Sequence, residues 1–211
     1  MIFLRNKCVI FLLIFLFTFP VQAKFTYSRV YFDREVKFTN QLGTGEYGEV
    51  SCVPTSVKMI LDYQGVKSES VDSMFRRMNG DWNGVNLSDA YDYIGELPNS
   101  FSLMQVVRNK DSLKYYIDLN IPYLLSIKPL KIKVQRDDKI PVLLKSIGRD
   151  YSVYMDSLHM IAVVGYVEIE NKLWIEVLDP LSRQPLFYDA DNLIDALAWK
   201  GLIAMQYIAT E

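Results

Sequence analysis

Two long apolar runs near the C-terminal end constrain the fold most strongly. Residues 158–170, LHMIAVVGYVEIE, and residues 173–180, LWIEVLDP, are rich in β-branched and aromatic residues and are separated by a short polar turn at Asn171. Such runs, bounded by turn residues, predict two strands joined as a hairpin. Because hairpin strands are antiparallel, the start of one lies beside the end of the other. We therefore expect His159 and Asp179 to lie near the same end of this hairpin.

The segments before this hairpin have mostly helical patterns. A first predicted helix begins near Cys52, has its apolar residues largely on one side, and ends at Gly65. The next two predicted helices are capped by Ser68 or Ser70 and by Ser88. The remaining predicted elements are one or two strands up to Gln41, a helix from Asp111, a buried strand from Pro122, a strand and a helix capped near Asp189 or Asp191, and a final strand LIAMQYIAT. Helices followed by an antiparallel sheet predict an α+β fold.

The N-terminal segment, residues 1–23, has the pattern of a secretory signal peptide. Arg5 and Lys7 precede an apolar run at residues 8–19, and the segment ends in a small-residue cleavage site. The apolar run is shorter than the roughly 20 residues that a membrane-spanning helix needs, which favours a cleaved signal over an anchor. Cleavage would leave one predicted domain, residues 24–211, in the periplasm or outside the cell, and would remove one of the two cysteines.

Charge and composition argue against several classes of function. The formal net charge is -2, and removal of the signal segment, which has two basic residues and no acidic one, moves it to -4. A mildly acidic chain of mixed charge gives no electrostatic footprint for nucleic acid. One histidine and one remaining cysteine are too few for a zinc site built from those ligands. No phosphate-binding glycine motif and no G-x-S-x-G motif is present, so we expect no metal ion and no cofactor.

Three residues at these element ends could form a nucleophilic site. A helix N-terminus favours the thiolate form of Cys52, while His159 could carry its proton and Asp179 could hold the imidazole in one tautomer. Each also has a structural explanation, because a lone cysteine is most often a small buried hydrophobe and Asp-Pro is a common turn starter. The catalytic interpretation requires the only histidine and the only remaining cysteine to fall at matching places, and they do.

The same segments resemble a known family. Ser51–Gly65, SCVPTSVKMILDYQG, is similar to the helix-opening motif of bacteriocin-processing, double-glycine-leader peptidases and their stand-alone relatives. Ser157–Pro180 is similar to the part of that family that carries the histidine and the aspartate, and Leu119–Ile127 is similar to the strand before it. The resemblance implies a papain-like fold, with N-terminal helices packed on a C-terminal antiparallel β-sheet, and cysteine peptidase activity.

The resemblance also implies roles for individual residues. Cys52 would be the nucleophile, His159 the general base and acid, and Asp179 the residue that orients the histidine. The family has a further glutamine upstream of the cysteine, whose side-chain amide helps to hold the oxyanion. Gln41 is the nearest candidate, eleven positions before Cys52, which is farther than in the family pattern. Either the glycine-rich loop at residues 42–50 lets Gln41 fold back, or the oxyanion hole is incomplete.

Two further residues are candidates for substrate binding. Val53 stands where the family usually has glycine, so a β-branched side chain beside the nucleophile is expected to narrow the site or change its preference. Trp82 lies in the turn Asn79–Asn86, which is rich in glycine and asparagine. Tyr47 and Tyr166 are further aromatic residues that could line the cleft, and packing in the core is the alternative for all three aromatic residues.

The predicted function is an exported cysteine peptidase that cleaves a peptide or protein substrate during maturation of a secreted or surface protein. The resemblance implies a secretion or export apparatus as a partner, and no transmembrane domain is expected after signal cleavage. One alternative is a catalytically silent papain-like binding module, which the positions of Gln41 and Val53 favour. Another is an amidase or transpeptidase that uses the same triad for a different acyl transfer.

Overall fold

The computed structural model describes residues 27–31, 35–97, 100–104, 109–128, 158–169, 171–182 and 185–208, and the predicted signal peptide lies outside them. The helices are α1 (Cys52–Tyr63), α2 (Val71–Arg77), α3 (Leu87–Gly95), α4 (Lys110–Asp118) and α5 (Ala190–Ala196). The strands are β1 (Tyr27–Tyr31), β2 (Ser100–Met104), β3 (Tyr123–Ile127), β4 (His159–Ile169), β5 (Lys172–Leu178), β6 (Leu186–Asp189) and β7 (Leu197–Ile208). Two 3-10 turns, Gln41–Gly43 and Gly48–Val50, precede α1.

The described strands form one antiparallel sheet in the order β2-β7-β3-β4-β5-β6, and β1 pairs with the second half of β4. The predicted hairpin is confirmed, with Asn171 in the left-handed backbone region at its turn. On the other side of β4, Ile127 of β3 pairs with His159. β4 is therefore an inner strand, and its side chains are buried on both faces of the sheet, which explains its almost unbroken apolar sequence.

Helix α1 packs against β4 and positions the start of both elements. Val57, Met59 and Ile60 are fully buried in the core that α1 shares with the sheet. Burial of each such side chain contributes about 1.5–3 kcal/mol relative to exposure. Within this contact the buried hydroxyl of Ser56 donates a hydrogen bond to the carbonyl oxygen of Met160 at 3.1 Å. The first turn of α1 is thereby fixed beside the first residues of β4.

The α+β prediction is confirmed, with differences at the ends of some elements. Ser70 caps α2 by accepting a hydrogen bond from the backbone of Ser73, and Asp189 caps α5. The prediction of Ser88 as the cap of α3 is wrong, because Asn86 takes the extended N-cap conformation and its carbonyl oxygen accepts the backbone N–H of Ala90. Strand β2 was not predicted, and it joins the sheet by pairing with β7.

Candidate active site

The thiol of Cys52 lies at the first residue of α1 and is half-buried. Ser51, the residue before it, is fully buried, and its hydroxyl donates to the carbonyl oxygen of Gly48 at 3.3 Å. The Ser51 carbonyl oxygen accepts the backbone N–H of Thr55, which begins the helical hydrogen-bond pattern. The backbone N–H of Cys52 lies in the first turn, where N–H groups have no acceptor inside the helix. The Cys52 thiol and a backbone N–H donor therefore lie together at one helix end.

His159 and Asp179 are in direct contact at the adjacent ends of β4 and β5. The Nε2 atom of His159 lies 2.7 Å from Oδ1 of Asp179, and the two residues are 4% and 1% exposed. The same Oδ1 accepts the backbone N–H of Leu181 at 2.9 Å, and Oδ2 accepts the hydroxyl of Tyr188 at 3.0 Å. These donors hold the carboxylate in place. Because Nε2 of His159 is already in contact with Asp179, Nδ1 is the ring nitrogen that is left for Cys52.

Cys52 and His159 change each other's protonation. Burial raises the pKa of the Cys52 thiol, but a hydrogen bond and charge attraction from His159, with a backbone hydrogen bond at Met160, lower this pKa overall. Burial lowers the pKa of His159, but the charge of Asp179 and its hydrogen bond, together with Cys52, raise it to about 10. Both directions favour a thiolate–imidazolium pair over the neutral pair.

This arrangement can carry out nucleophilic acyl transfer. A thiolate can attack a carbonyl carbon, and a neighbouring imidazolium can protonate the leaving group. The structure brings Cys52, His159 and Asp179 together as the sequence predicts, while their catalytic roles stay predictions. In the described part of the chain, no group of three or more His, Cys, Asp or Glu residues could hold a metal ion. None of the described helices is long and apolar enough to cross a membrane.

Gln41 is brought to the same site by the two 3-10 turns. It is 1% exposed, and its Nε2 donates to the carbonyl oxygens of Gly48 at 2.8 Å and Glu49 at 3.1 Å. Its Oε1 is buried and has no hydrogen-bond partner among the described residues. The loop at residues 42–50 does let Gln41 fold back to the site. However, both N–H groups of the Gln41 side-chain amide already have acceptors. Its role as an oxyanion donor stays a prediction.

The backbone around Gln41 is tied to the turn that follows the aspartate. The N–H of Gln41 donates to the carbonyl oxygen of Pro180 at 2.9 Å, and the side-chain amide of Asn40 donates to the carbonyl oxygen of Ser182. Gly48 allows a close approach here, because a Cβ atom on it would lie 2.7 Å from the carbonyl oxygen of Gln41. The start of the glycine-rich loop and the turn after Asp179 are thus linked by direct hydrogen bonds.

A cleft of about 600 Å³ runs past Cys52 and His159. Both sequence candidates for substrate binding line it, with Val53 buried and Trp82 73% exposed. Tyr47 does not line it but lies 5.8 Å from Trp82, measured between ring centroids. Tyr166 is outside this cleft and donates its hydroxyl to Asp118 at 2.8 Å.

Two residues that shape the site were not found from the sequence. Tyr188 holds the second oxygen of Asp179, and no motif marks it, because its position depends on the pairing of β6 with β5, in which it lies opposite Ile175. Gly48 accepts hydrogen bonds from both Gln41 and Ser51. The cluster of glycines at residues 43–48 indicated an unusual loop but not which of them would contact the site.

Comparison with known families bears on the same residues. The family described as Peptidase_C39 like family matches residues 34–200, most of the chain. The chain belongs to this C39-like family. Its match covers the segments that carry Cys52, His159 and Asp179, and it confirms the resemblance to bacteriocin-processing peptidases. Family and fold together support a cysteine peptidase.

Solved structures show the same fold at low sequence identity. A C39-like peptidase from Bacillus anthracis superposes with a TM-score of 0.60 at 14% identity, over 87% of this chain and all of that one. The peptidase domain of Streptococcus ComA, a bi-functional ABC transporter involved in a quorum sensing pathway, has a TM-score of 0.51 at 16% identity, over 82% of this chain and all of that one. No curated protein matches the sequence significantly. The C39-like fold is therefore established here.

Proposed function

We propose that this C39-like protein is an exported cysteine peptidase that cleaves a peptide or protein substrate through a thioester on Cys52. The observation that carries the proposal is the placement of Cys52 at the first residue of α1, in one cleft with His159, whose Nε2 lies 2.7 Å from Asp179. A thiolate at a helix N-terminus is the reactive form of cysteine. A silent protein has no physical need for this pairing.

In the proposed reaction, the Cys52 thiolate attacks the carbonyl carbon of the scissile peptide bond. The carbon–nitrogen bond breaks as His159 gives its Nδ1 proton to the leaving amine, and a thioester remains on Cys52. Water then attacks the thioester while His159 takes its proton, which releases the carboxylic acid and returns the thiolate. Asp179 keeps Nε2 protonated and fixes the ring throughout.

The proposed oxyanion hole has one donor in place and one that must be freed. The backbone N–H of Cys52 lies in the first turn of α1 and can donate to the developing negative oxygen. Gln41 can add a second N–H only when one of its present acceptors, the Gly48 or the Glu49 carbonyl oxygen, gives way. Substrate binding in the cleft that these residues line would have to displace this loop contact.

We also propose that the protein works outside the cytoplasm on an exported substrate. The support is the signal-peptide pattern of residues 1–23. One structural neighbour is the peptidase domain of an ABC transporter, which makes an export apparatus a reasonable partner. Mass spectrometry of the protein recovered from the periplasm and from the medium should find an N-terminus at Lys24. An intact Met1 in the exported fraction would contradict this part of the proposal.

Peptide cleavage by the purified protein tests the activity. The protein is incubated with a diverse peptide mixture, and the products are identified by mass spectrometry, with Cys52→Ala as the matched control. We expect cleavage products that the control lacks, and an acyl adduct on Cys52 after acid quenching. Addition of a primary amine separates a hydrolase from a transpeptidase, because only a transpeptidase would transfer the acyl group to the amine in large yield. No Cys52-dependent product and no adduct would contradict the proposal.

A silent binding module is the second candidate, and one observation favours it. Both N–H groups of the Gln41 amide are matched by backbone carbonyl oxygens, which leaves the oxyanion with the Cys52 backbone donor alone. Loss of one oxyanion donor costs about 2.7–4 kcal/mol of transition-state stabilisation, which slows an enzyme without abolishing its activity. Peptide binding with unchanged affinity in wild type and Cys52→Ala, and no turnover, is the result that this candidate predicts.

A further inference from the structure

Among the described residues that line the cleft beside Cys52 there are two carboxylates and no lysine or arginine. The two carboxylates belong to Glu49 and Asp81, and both residues are exposed. Among the described residues, the carboxylate of Asp81 accepts hydrogen bonds from the backbone N–H and the side-chain amide of Asn83, which are uncharged. In contrast, the nearby Glu46 is already paired with Arg76 at 3.2 Å. The carboxylates of Glu49 and Asp81 are therefore open to a cationic group of a substrate, as far as the described residues are concerned.

Trp82 follows Asp81 in the chain and lines the same cleft as Glu49. It is 73% exposed, and it lines both the catalytic cleft and a second hollow of about 440 Å³, with Glu49 as another residue that lines both. The backbone under it is fixed, because Asp81 and Gly84 exchange two hydrogen bonds of 3.0 and 2.9 Å. Tyr47 lies against it on one side. An exposed aromatic face on a fixed turn is a surface on which a cation can stack.

Gln41 gives an independent indication of what the ligand must supply. Its buried Oε1 has no hydrogen-bond partner among the described residues, and Gln41 lines the same cleft as Glu49 and Asp81. A buried acceptor without a donor is costly, so a ligand that turns the Gln41 amide toward the cleft and brings N–H groups would relieve it. Carboxylates, an aromatic face and an unmatched amide oxygen are all complementary to a group that is positively charged and rich in donors.

We propose that Glu49, Asp81 and Trp82 form a subsite for an arginine side chain of the substrate, next to the scissile bond. This inference rests on the proposed peptidase function and deepens it by naming a substrate class. A guanidinium has five N–H donors and a planar face, so it can pair with a carboxylate and stack on an indole at once. Lysine would satisfy the charge but not the planar stacking, and is expected to bind more weakly than arginine.

Binding is measured with the Cys52→Ala protein, so that no peptide is consumed. The probes are acetylated and amidated heptapeptides with six alanines and a central arginine, lysine or citrulline, since citrulline has nearly the shape of arginine without its charge. NMR shifts of the Trp82 indole N–H report weak binding directly at the subsite. We expect the arginine peptide to bind roughly tenfold more tightly than the citrulline peptide, as a partly exposed charge pair with cation–π stacking allows.

Variants separate the subsite from general attraction to a mildly acidic protein. Glu49→Gln and Asp81→Asn should each reduce the difference in affinity between the arginine and the citrulline peptide. Trp82→Ala should reduce the difference in affinity between the arginine and the lysine peptide. Binding to Trp82→Ala is measured by calorimetry, because this variant lacks the indole N–H. Asp195→Asn is the matched carboxylate control, because Asp195 is exposed on α5 and does not line the cleft. Tyr115→Ala is the matched aromatic control, since Tyr115 is exposed on α4. Both controls should leave the preference unchanged.

Cleavage of the peptide mixture by wild type is read alongside binding. Cleaved peptides should be enriched in arginine at one fixed position relative to the scissile bond, and Glu49→Gln should flatten that enrichment. Cleavage without any basic enrichment, together with equal binding of the arginine and citrulline peptides, would overturn the subsite and leave the peptidase proposal intact. Arginine-dependent binding at Trp82 without cleavage would support the subsite and count against the peptidase proposal.

Discussion

His159 Nε2 and Asp179 Oδ1 lie 2.7 Å apart, although 20 positions separate the residues in the chain. The contact follows from strand pairing, because β4 begins where the antiparallel β5 ends. Tyr188 and the Leu181 backbone hold the aspartate from the other side, so the carboxylate has little freedom to turn. The sheet thereby fixes the orientation of the imidazole that faces Cys52.

Replacement of Asp179 by asparagine should separate its charge from its shape. The Asp179 charge raises the pKa of His159, so the pKa of His159 should fall in Asp179→Asn, and the imidazolium should be lost at lower pH. Activity should fall by about 10²-fold or more, since positioned acid–base groups contribute about 10²–10⁴-fold. NMR titration of the His159 ring and kcat/KM on a cleaved peptide measure the two effects. A ring pKa unchanged from wild type would be inconsistent with this account.

Gln41→Ala should lower both stability and kcat. The variant removes one of the two donors to the buried Gly48 carbonyl oxygen, while the Ser51 hydroxyl remains, so the free energy of unfolding should fall by about 0.5–1.5 kcal/mol. If Gln41 also donates to the oxyanion, kcat should fall by about 10²–10³-fold with little change in KM. Urea unfolding and steady-state kinetics distinguish the roles. A loss of stability with full kcat would leave Gln41 as a structural residue of the loop only.

Gly80, which precedes Trp82 in its turn, and Gly95, the last residue of α3, should have opposite effects on stability when each is replaced by alanine. A Cβ atom on Gly80 would lie 2.6 Å from the buried ring of Phe75, so Gly80→Ala should destabilise by about 1–3 kcal/mol and displace the turn that carries Trp82. Gly95 is exposed in α3 with nothing near its Cβ position, so Gly95→Ala should stabilise by about 0.5–1 kcal/mol. Thermal unfolding of the pair measures the difference. Equal changes in unfolding temperature for the two variants would show that the Phe75 ring does not prevent a side chain at residue 80.

The parts of the fold that follow from local patterns were predictable. Helix α1 has a one-sided apolar pattern that ends at a glycine, and the β4–β5 hairpin has two apolar runs around Asn171. These patterns reflect burial on one or both faces, so they survive in a single sequence. They also place Cys52 and His159 at element ends, which is why the site could be outlined before the structure.

The rest depends on tertiary contacts that no local pattern records. The Nε2 contacts of Gln41 are set by two 3-10 turns in a loop with three glycines, whose backbone has many accessible conformations. The support of Asp179 by Tyr188 requires the register between β5 and β6. The start of α3 at Leu87 shows the same limit, since Asn86 and Ser88 are both common cap residues and the turn before them decides.

The pH dependence of Cys52 alkylation tests the central claim most directly. Only the thiolate reacts with iodoacetamide, so the rate rises with pH through the pKa of Cys52. Because His159 lowers that pKa, the midpoint should lie below about 8.5 in wild type and should move up in His159→Ala. Peptide mapping assigns the adduct to Cys52, and Asp195→Asn should have the wild-type profile. A midpoint at or above 8.5 that is the same in wild type and His159→Ala would contradict a thiolate–imidazolium pair and, with it, the proposed peptidase mechanism.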